Sequence, residues 1–272
     1  MAELLNINKL ICPVSFFLSL LVLTFLESCA PVPVFPPNPP FSVQEIADIL
    51  LNMKNQQDSV DNFFSSGRIV IQMPGSEFEA NALIIGNRDP FKIKIEVTHF
   101  WGRPLVHILI DKTRLHIISF PEKRYYLGYL GDPALSNFFP ARLNPDQLWA
   151  FVRGYPIPEK HDLAVSLEGD HISLLNGNGD TIQLIVCSAQ NNLSFQTFFP
   201  KKEIRVSFSD FKSNNDIQYA QKIRLYDQGN ERTLLLNLKR MVFNRAIPES
   251  IFKLDPPHDF KLIRDGVHLD TQ

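Results

Sequence analysis

The sequence predicts a mainly β fold, an antiparallel sheet of about ten or eleven strands with a few helices. Apolar and polar residues alternate with a period of two over most of the chain after residue 66, which is typical of strands with one buried face. Helical spacing marks two segments, residues 42–53 and 144–154, and Pro133–Phe139 is a further candidate for a shorter helix. Asn176-Gly177-Asn178-Gly179 is a strong hairpin signal, because both residue types tolerate positive φ.

The first predicted element is a helix that starts after Ser42. Ser42 can cap its N-terminus, and Glu45, three residues later, completes a capping box. Four apolar residues at helical spacing mark the face that should be buried: Ile46, Ile49, Leu50 and Met53.

The next region is predicted to form consecutive antiparallel strands. Phe91–Thr98 is the cleanest, because its apolar residues all point one way and its charged residues the other. Further strands are predicted at Gly67–Met73, Phe78–Ile85, Leu105–Ile110, Arg114–Ser119 and Arg124–Leu127. Three or more such strands that share an apolar face make a stable curved sheet.

A second helix interrupts the sheet. Asn144 can cap it, Pro145 occupies its first turn, Gln147 completes a capping box and Gly154 ends it. Its bulky apolar residues are Leu148, Trp149, Phe151 and Val152. The alternating pattern then resumes and continues to Phe243.

The N-terminus has the pattern of an export signal. Lys9 precedes Leu10–Leu26, 17 residues without a charge, and small Ser28 stands directly before Cys29. This resembles the lipobox of bacterial lipoproteins. The resemblance implies that Cys29 becomes the N-terminus and carries a covalent diacylglycerol and an N-acyl chain, with no other cofactor. A retained membrane anchor and plain secretion are the alternatives, and in each case the rest of the chain works outside the cytoplasm.

A proline-rich spacer separates the leader from the folded part. Residues 30–40 contain six prolines, which favour an extended polyproline-type segment. At about 3.1 Å per residue, it would hold the folded part roughly 30 Å from an anchor at Cys29. The predicted organisation is a signal peptide at 1–28, an acylated tether at 29–42 and a single β domain at 43–272.

Charge and cysteine content exclude some classes of function. The chain has 27 basic and 29 acidic residues, and removing one basic and two acidic residues with the leader makes the net charge −1. A nearly neutral surface gives no support for nucleic-acid binding, which needs a basic patch. Cys187 would then be the only free cysteine, and we expect it to be a small buried residue of a strand.

Catalytic motifs are absent from the sequence. It contains no nucleophile elbow, no phosphate-binding glycine loop, no His-Glu-x-x-His and no Cys-x-x-Cys. His107 and His116 are the best metal candidates, but two imidazoles without a third ligand make a poor zinc site. We therefore expect neither a metal site nor an enzyme.

Two segments resemble the LolA/LolB superfamily of lipoprotein carriers and receptors. Lys92–Leu105 is similar to its strand–loop–strand in which a large apolar residue precedes a glycine, and Pro248–Pro257 is similar to its Phe-x-x-x-Pro-Pro ending. The resemblance covers roughly residues 43–262. It implies an open antiparallel half-barrel with a helical lid and an apolar cavity for acyl chains.

The resemblance also places a membrane-insertion loop at Phe100, Trp101 and Gly102, with Trp101 at the position implicated in delivery to the membrane. An indole favours the membrane interface, because it combines an apolar body with one donor. The alternative is that Trp101 folds back and plugs the end of the half-barrel.

The cavity is expected on the apolar face of the sheet, beneath the second helix. Its predicted lining consists of Ile69, Ile71, Phe91, Ile93, Ile95, Val97, Leu148, Trp149 and Phe151. A sheet pattern alone does not distinguish a hollow interior from a filled core, so both remain open.

The expected function is non-enzymatic. The chain would be anchored on the periplasmic face of the outer membrane, bind the acyl chains of a lipoprotein or lipid and help insert them. Ala30, rather than aspartate, after Cys29 favours the outer membrane by resemblance to proteobacterial sorting. A periplasmic carrier protein is the expected partner. The alternative is an assembly lipoprotein whose sheet binds another protein without lipid transfer.

Overall fold

The computed structural model describes residues 39–130, 132, 143–188 and 194–264. These residues belong to one compact unit, Asn38–Gln272. Fourteen strands form a single sheet that two α-helices accompany. The leader, Cys29, the tether up to residue 38 and the candidate short helix at 133–139 lie outside the described residues.

Both predicted helices are present with their predicted caps. Helix α1 is Val43–Asp58, capped by Ser42 in a capping box with Glu45. Helix α2 is Pro145–Arg153, capped by Asn144 in a capping box with Gln147. Gly154 ends α2 in the left-handed conformation, at φ 76°.

The strands are β1 Asn62–Met73, β2 Ser76–Asn87, β3 Lys92–Thr98, β4 Pro104–Asp111, β5 Arg114–Ser119, β6 Arg124–Tyr129, β7 Leu163–Val165, β8 His171–Leu175, β9 Thr181–Ser188, β10 Ser194–Phe199, β11 Ile204–Asn214, β12 Ile217–Asp227, β13 Arg232–Phe243 and β14 Lys261–Arg264. Two short 3-10 helices are Pro200–Lys202 and Glu249–Phe252.

The sheet is open. Its strand order is β14-β6-β5-β4-β3-β2-β1-β13-β12-β11-β10-β9-β8-β7, so β14 and β7 are the two edges. All pairs are antiparallel except β14 with β6, which is parallel. The predicted open antiparallel sheet is therefore confirmed.

The predicted number of strands, about ten or eleven, was wrong. The sheet has fourteen strands, and β14 is absent from the prediction. β14 has only four residues and pairs in parallel with β6. A short edge strand without a hairpin turn leaves little alternation in the sequence, because its pairing comes from a distant part of the chain.

The inner face of the sheet carries the core beneath the helices. Trp149 of α2 lies edge-on to Phe63 of β1, with ring centroids 5.1 Å apart. Gly86 of β2 makes this contact possible, because a Cβ there would lie 2.3 Å from the Phe63 ring and 2.9 Å from the Trp149 ring. Any larger residue at position 86 would push the helix away from the sheet.

The outer face carries a smaller apolar cluster. Ile85 of β2 and Leu109 of β4 are buried there against Phe252. Phe252 belongs to residues 244–260, the connection that leads from β13 to β14 at the far edge of the sheet. We call this connection the outer strap. It covers part of the face that the sequence predicted to be wet.

Candidate functional site

The structure brings the nine predicted lining residues into the main core. Ile93, Ile95 and Val97 of β3 are buried, and Ile69, Ile71 and Phe91 are partly buried and packed against the same cluster. From α2, Leu148, Trp149 and Phe151 are at most 2% exposed. These side chains contact one another or their neighbours in this packed cluster, and the prediction that they line a lipid cavity stays a prediction.

A pocket of about 590 Å³ lies beside this core. Helices α1 and α2 form two of its walls, residues 156–161 form a third, and β10 and β11 form its floor. Its volume falls in the range of about 300–1,000 Å³ that is typical of small-molecule sites.

The lining of the pocket is mainly apolar. Its apolar side chains come from all of these elements: Leu50, Leu51, Ala150, Pro156, Ile157, Pro158, Phe199, Val206 and Phe208. None of the nine residues predicted from the sequence is among them. Leu50 was recognised as part of the apolar face of α1, and Phe199 as part of a strand, but no pattern indicated that these residues meet around an open space.

One wall of the pocket is a hydrogen-bonded polar network. The Gln147 side chain donates to Glu159 Oε1 at 2.7 Å and accepts from Lys202 Nζ at 2.7 Å. Asn144 Nδ2 also donates to Glu159 Oε1, at 3.3 Å. Burial lowers the pKa of Lys202, and the nearby Glu159 carboxylate opposes that change. The network joins the start of α2 to the 3-10 turn before β11.

A buried arginine holds the ends of the two helices together. Arg153, the last residue of α2, is fully buried and donates to the backbone oxygen of Gln56 near the end of α1. Its guanidinium lies 4.8 Å from the Tyr155 ring. Burial lowers the pKa of Arg153 to about 9. The C-terminal ends of both helices carry negative partial charge, which offsets part of the cost of burying this cation.

The predicted membrane loop projects from the end of the sheet. Trp101 is 75% exposed and Phe100 is 63% exposed, which disagrees with the alternative in which Trp101 plugs the half-barrel. Their ring centroids are 4.0 Å apart, and the His99 ring lies 4.0 Å from Phe100. Gly102 has φ 85° and donates its N–H to the His99 carbonyl, as a turn glycine does.

A second hairpin presents apolar residues at the same end of the sheet. Asn81 of β2 pairs with Thr98 of β3, so the β1–β2 turn lies beyond the start of the β3–β4 loop. Met73 and Phe78 in this hairpin are 38% and 39% exposed. We call Met73, Phe78, Phe100 and Trp101 the apolar rim.

The two candidate metal ligands, His107 and His116, lie on neighbouring strands of the sheet. His107 opposes Ile118 and His116 opposes Leu109, so the two imidazoles lie in a diagonal relation on the outer face. His116 Nδ1 is 2.8 Å from the Tyr125 hydroxyl, and the His107 ring stacks edge-on against Phe120. Among the residues that the structure describes, no three potential ligands cluster.

Cys187 lies in β9, within the strand predicted for it, and is a free cysteine among the described residues. It is partly buried and packs against the core. Burial raises the pKa of its thiol to about 12, so the unreactive thiol form prevails at neutral pH.

Of the residues described, neither helix combines the length and hydropathy of a membrane span. The leader, which the sequence predicts to be the export signal, falls outside this range, as does Cys29.

Comparison with known proteins shows similarity of fold. No protein-family model matches the sequence, and no curated protein matches it. A solved DUF1329 family protein from Desulfovibrio piger has a TM-score of 0.51 at 10% identity, over 78% of this chain and 97% of that one. At this identity the likeness concerns the fold alone.

Two further solved structures have lower scores. A putative outer membrane lipoprotein-sorting protein domain from Vibrio parahaemolyticus has a TM-score of 0.48 at 10% identity, over 76% of this chain and 97% of that one. A LolA superfamily protein from Nitrosomonas europaea has a TM-score of 0.47 at 12% identity, over 75% and 97%.

Proposed function

We propose that this chain is a lipid-anchored protein of the bacterial outer membrane that binds the acyl chain of a lipoprotein or lipid and helps insert it into the membrane. The observation that carries the proposal is the apolar pocket between α1, α2 and the sheet. An acyl chain offers no hydrogen bonds, so it needs an apolar lining of this kind. Neither catalysis nor a resident cofactor is part of the proposal.

In this proposal, α1 and α2 act as the lid of the half-barrel. A movement of α2 away from the sheet would separate Leu148, Trp149 and Phe151 from the strands beneath them and extend the pocket under the helix. The predicted lining on β1 and β3 would then contact the ligand as well. The tightly packed arrangement of these side chains is the closed state of the protein. A bound acyl chain would stabilise the open state, because its contacts with these side chains replace the contacts that they make with one another.

The Phe100–Trp101 loop is proposed to touch the membrane during delivery. Its exposed aromatic rings stand at the same end of the sheet as Met73 and Phe78. Aromatic side chains partition into the interfacial region of a bilayer. The apolar rim would place this end of the sheet against the lipid.

Acylation of Cys29 is proposed to keep the protein at the periplasmic face of the outer membrane. The donor of the cargo would be a periplasmic carrier protein. Transfer needs no nucleotide if the affinity for the acyl chain increases from carrier to receptor to bilayer.

A variant that fills the pocket tests the proposal. Ala150 lines the pocket from α2, and Ala150→Phe would occupy part of its space. We expect the uptake of a neutral hydrophobic dye, and the lipid found by native mass spectrometry, to fall about tenfold, which is the effect of losing roughly 1.4 kcal/mol of binding. Ala47→Phe, on the exposed side of α1, is the matched control and should bind like the unmodified protein.

Two results would contradict acyl binding in this pocket. One is purified protein that carries no lipid and takes up no dye. The other is undiminished uptake by a folded Ala150→Phe variant whose thermal unfolding stays cooperative.

A further inference from the structure

The lining of the pocket includes two exposed lysines. Lys54 comes from α1 and Lys160 from the segment that follows α2, so the two ammonium groups stand on different walls. Within the described parts of the chain, neither lysine has an ion pair or a hydrogen bond. Both side chains are exposed.

The lining also contains two acidic residues, Glu159 and the exposed Asp146. Glu159 accepts hydrogen bonds from Gln147 Nε2 and Asn144 Nδ2, and the Lys202 ammonium lies behind Gln147. Asp146 lies in the first turn of α2, where the positive end of the helix dipole stabilises a carboxylate. Lys54, Lys160 and the neighbouring Lys202 carry three positive charges against the two negative charges of Asp146 and Glu159, so this region of the pocket has a net charge of +1.

We propose that the pocket selects anionic amphiphiles, in which an acyl chain ends in a carboxylate or phosphate. The chain would lie on the apolar floor formed by residues such as Phe199, Val206 and Phe208. The anionic head group would lie between Lys54 and Lys160. This inference rests on the proposed acyl binding and adds the charge of the head group to it.

Two ligands with the same chain and different heads test the inference. Oleate carries a carboxylate, whereas oleyl alcohol is neutral, and both are titrated into the mature full-length protein below their aggregation concentrations. Exposed ion pairs are weak, so two of them should make oleate bind about three- to tenfold more tightly at low salt. This advantage should shrink in 0.5 M salt, because added ions screen exposed charges.

Removing the two lysines tests their role directly. Lys54→Gln with Lys160→Gln should lower the affinity for oleate about three- to tenfold and leave that for oleyl alcohol within about twofold. The matched control is Lys212→Gln with Lys239→Gln, two exposed lysines outside the pocket. All four positions are exposed, so we expect every variant to fold.

The outcomes separate this inference from the function on which it rests. Equal binding of oleate and oleyl alcohol, or an unchanged oleate affinity in the Lys54/Lys160 variant, overturns head-group selection and leaves acyl binding intact. Binding of neither ligand overturns both. Oleoyl lysophosphatidate as a third ligand distinguishes the head groups: tighter binding than oleate assigns the site to phosphate, and weaker binding assigns it to carboxylate.

Discussion

Two histidines on the outer face of the sheet have pKa values that burial shifts. His107 and His116 are half-buried on β4 and β5. Burial lowers the pKa of both imidazoles, and the Glu96 carboxylate opposes this effect at His107. In the unfolded chain both would titrate near 6.5.

We predict that the free energy of unfolding falls as the pH drops below about 6.5, because the unfolded chain then binds protons that the folded protein does not. Replacing both residues, as His107→Gln and His116→Gln, should make the loss between pH 7.5 and pH 5 smaller. Urea unfolding at pH 7.5 and pH 5 measures this loss of unfolding free energy. His258→Gln, at an exposed position, is the control. An undiminished loss in the double variant would contradict the prediction.

At the residue scale, the sequence predicted well those residues whose role depends on backbone groups a few positions away. Ser42, Asn144 and Gly154 cap the helices as predicted, because capping depends on neighbours within three or four residues. The pocket residues Ala150 and Val206 were not predicted, since nothing local to either one indicates an open space between distant elements.

Among the elements, the outer strap is the one that the sequence described least well. Its 3-10 helix places Phe252, which is 8% exposed, between Ile85 and Leu109. Lys92 forms a salt bridge with Glu249, and Lys123 pairs with Asp259 at 2.9 Å. The strap thus fastens the outer face of β2–β4 and brings β14 to the edge of the sheet.

We predict that Phe252→Ala destabilises the protein by about 3–5 kcal/mol, the usual cost of removing a buried phenyl ring. Chemical denaturation measures the change. Phe64→Ala removes the same atoms at a position that is 38% exposed and should cost clearly less. Equal losses in the two variants would mean that the strap adds no specific packing.

The strands with the clearest alternation of polar and apolar residues were predicted most accurately. β3 was predicted almost to the residue, since alternation of charged and apolar side chains runs through its whole length. The start of β1 at Asn62 and the whole of β14 were missed. Their pairing partners, β13 and β6, supply the hydrogen bonds that make them strands.

At the scale of the whole molecule, exposed aromatic residues stand at both ends of the open sheet. The apolar rim stands at one end, whereas Tyr129 stands near the other, because it pairs with Arg114 beside the β4–β5 turn. Tyr129 is 62% exposed, close to the value for Phe100. These two aromatic positions allow a matched comparison of the ends.

We predict that Trp101→Glu lowers binding to liposomes at least tenfold, whereas Tyr129→Glu leaves it unchanged. Burial of an indole in the membrane contributes about 2–3 kcal/mol to the binding free energy, and a charged side chain at this position would lose that contribution. The comparison uses protein without residues 1–28 in a Cys29→Ser background, so that no acyl anchor contributes. Co-sedimentation with vesicles is the measurement. Equal effects of the two substitutions would remove the reason to assign membrane contact to the rim.

The sequence by itself determined the two capped helices, the antiparallel sheet and the loop that carries Phe100 and Trp101, because these depend on residues close in the chain. Only the tertiary structure decided that β14 joins β6, that Phe252 seals the outer face and that the pocket lies between α1, α2 and β10–β11. Each of these contacts joins segments far apart in the chain. Their free energy arises from packing and pairing after the sheet has formed, which no local pattern of side chains encodes.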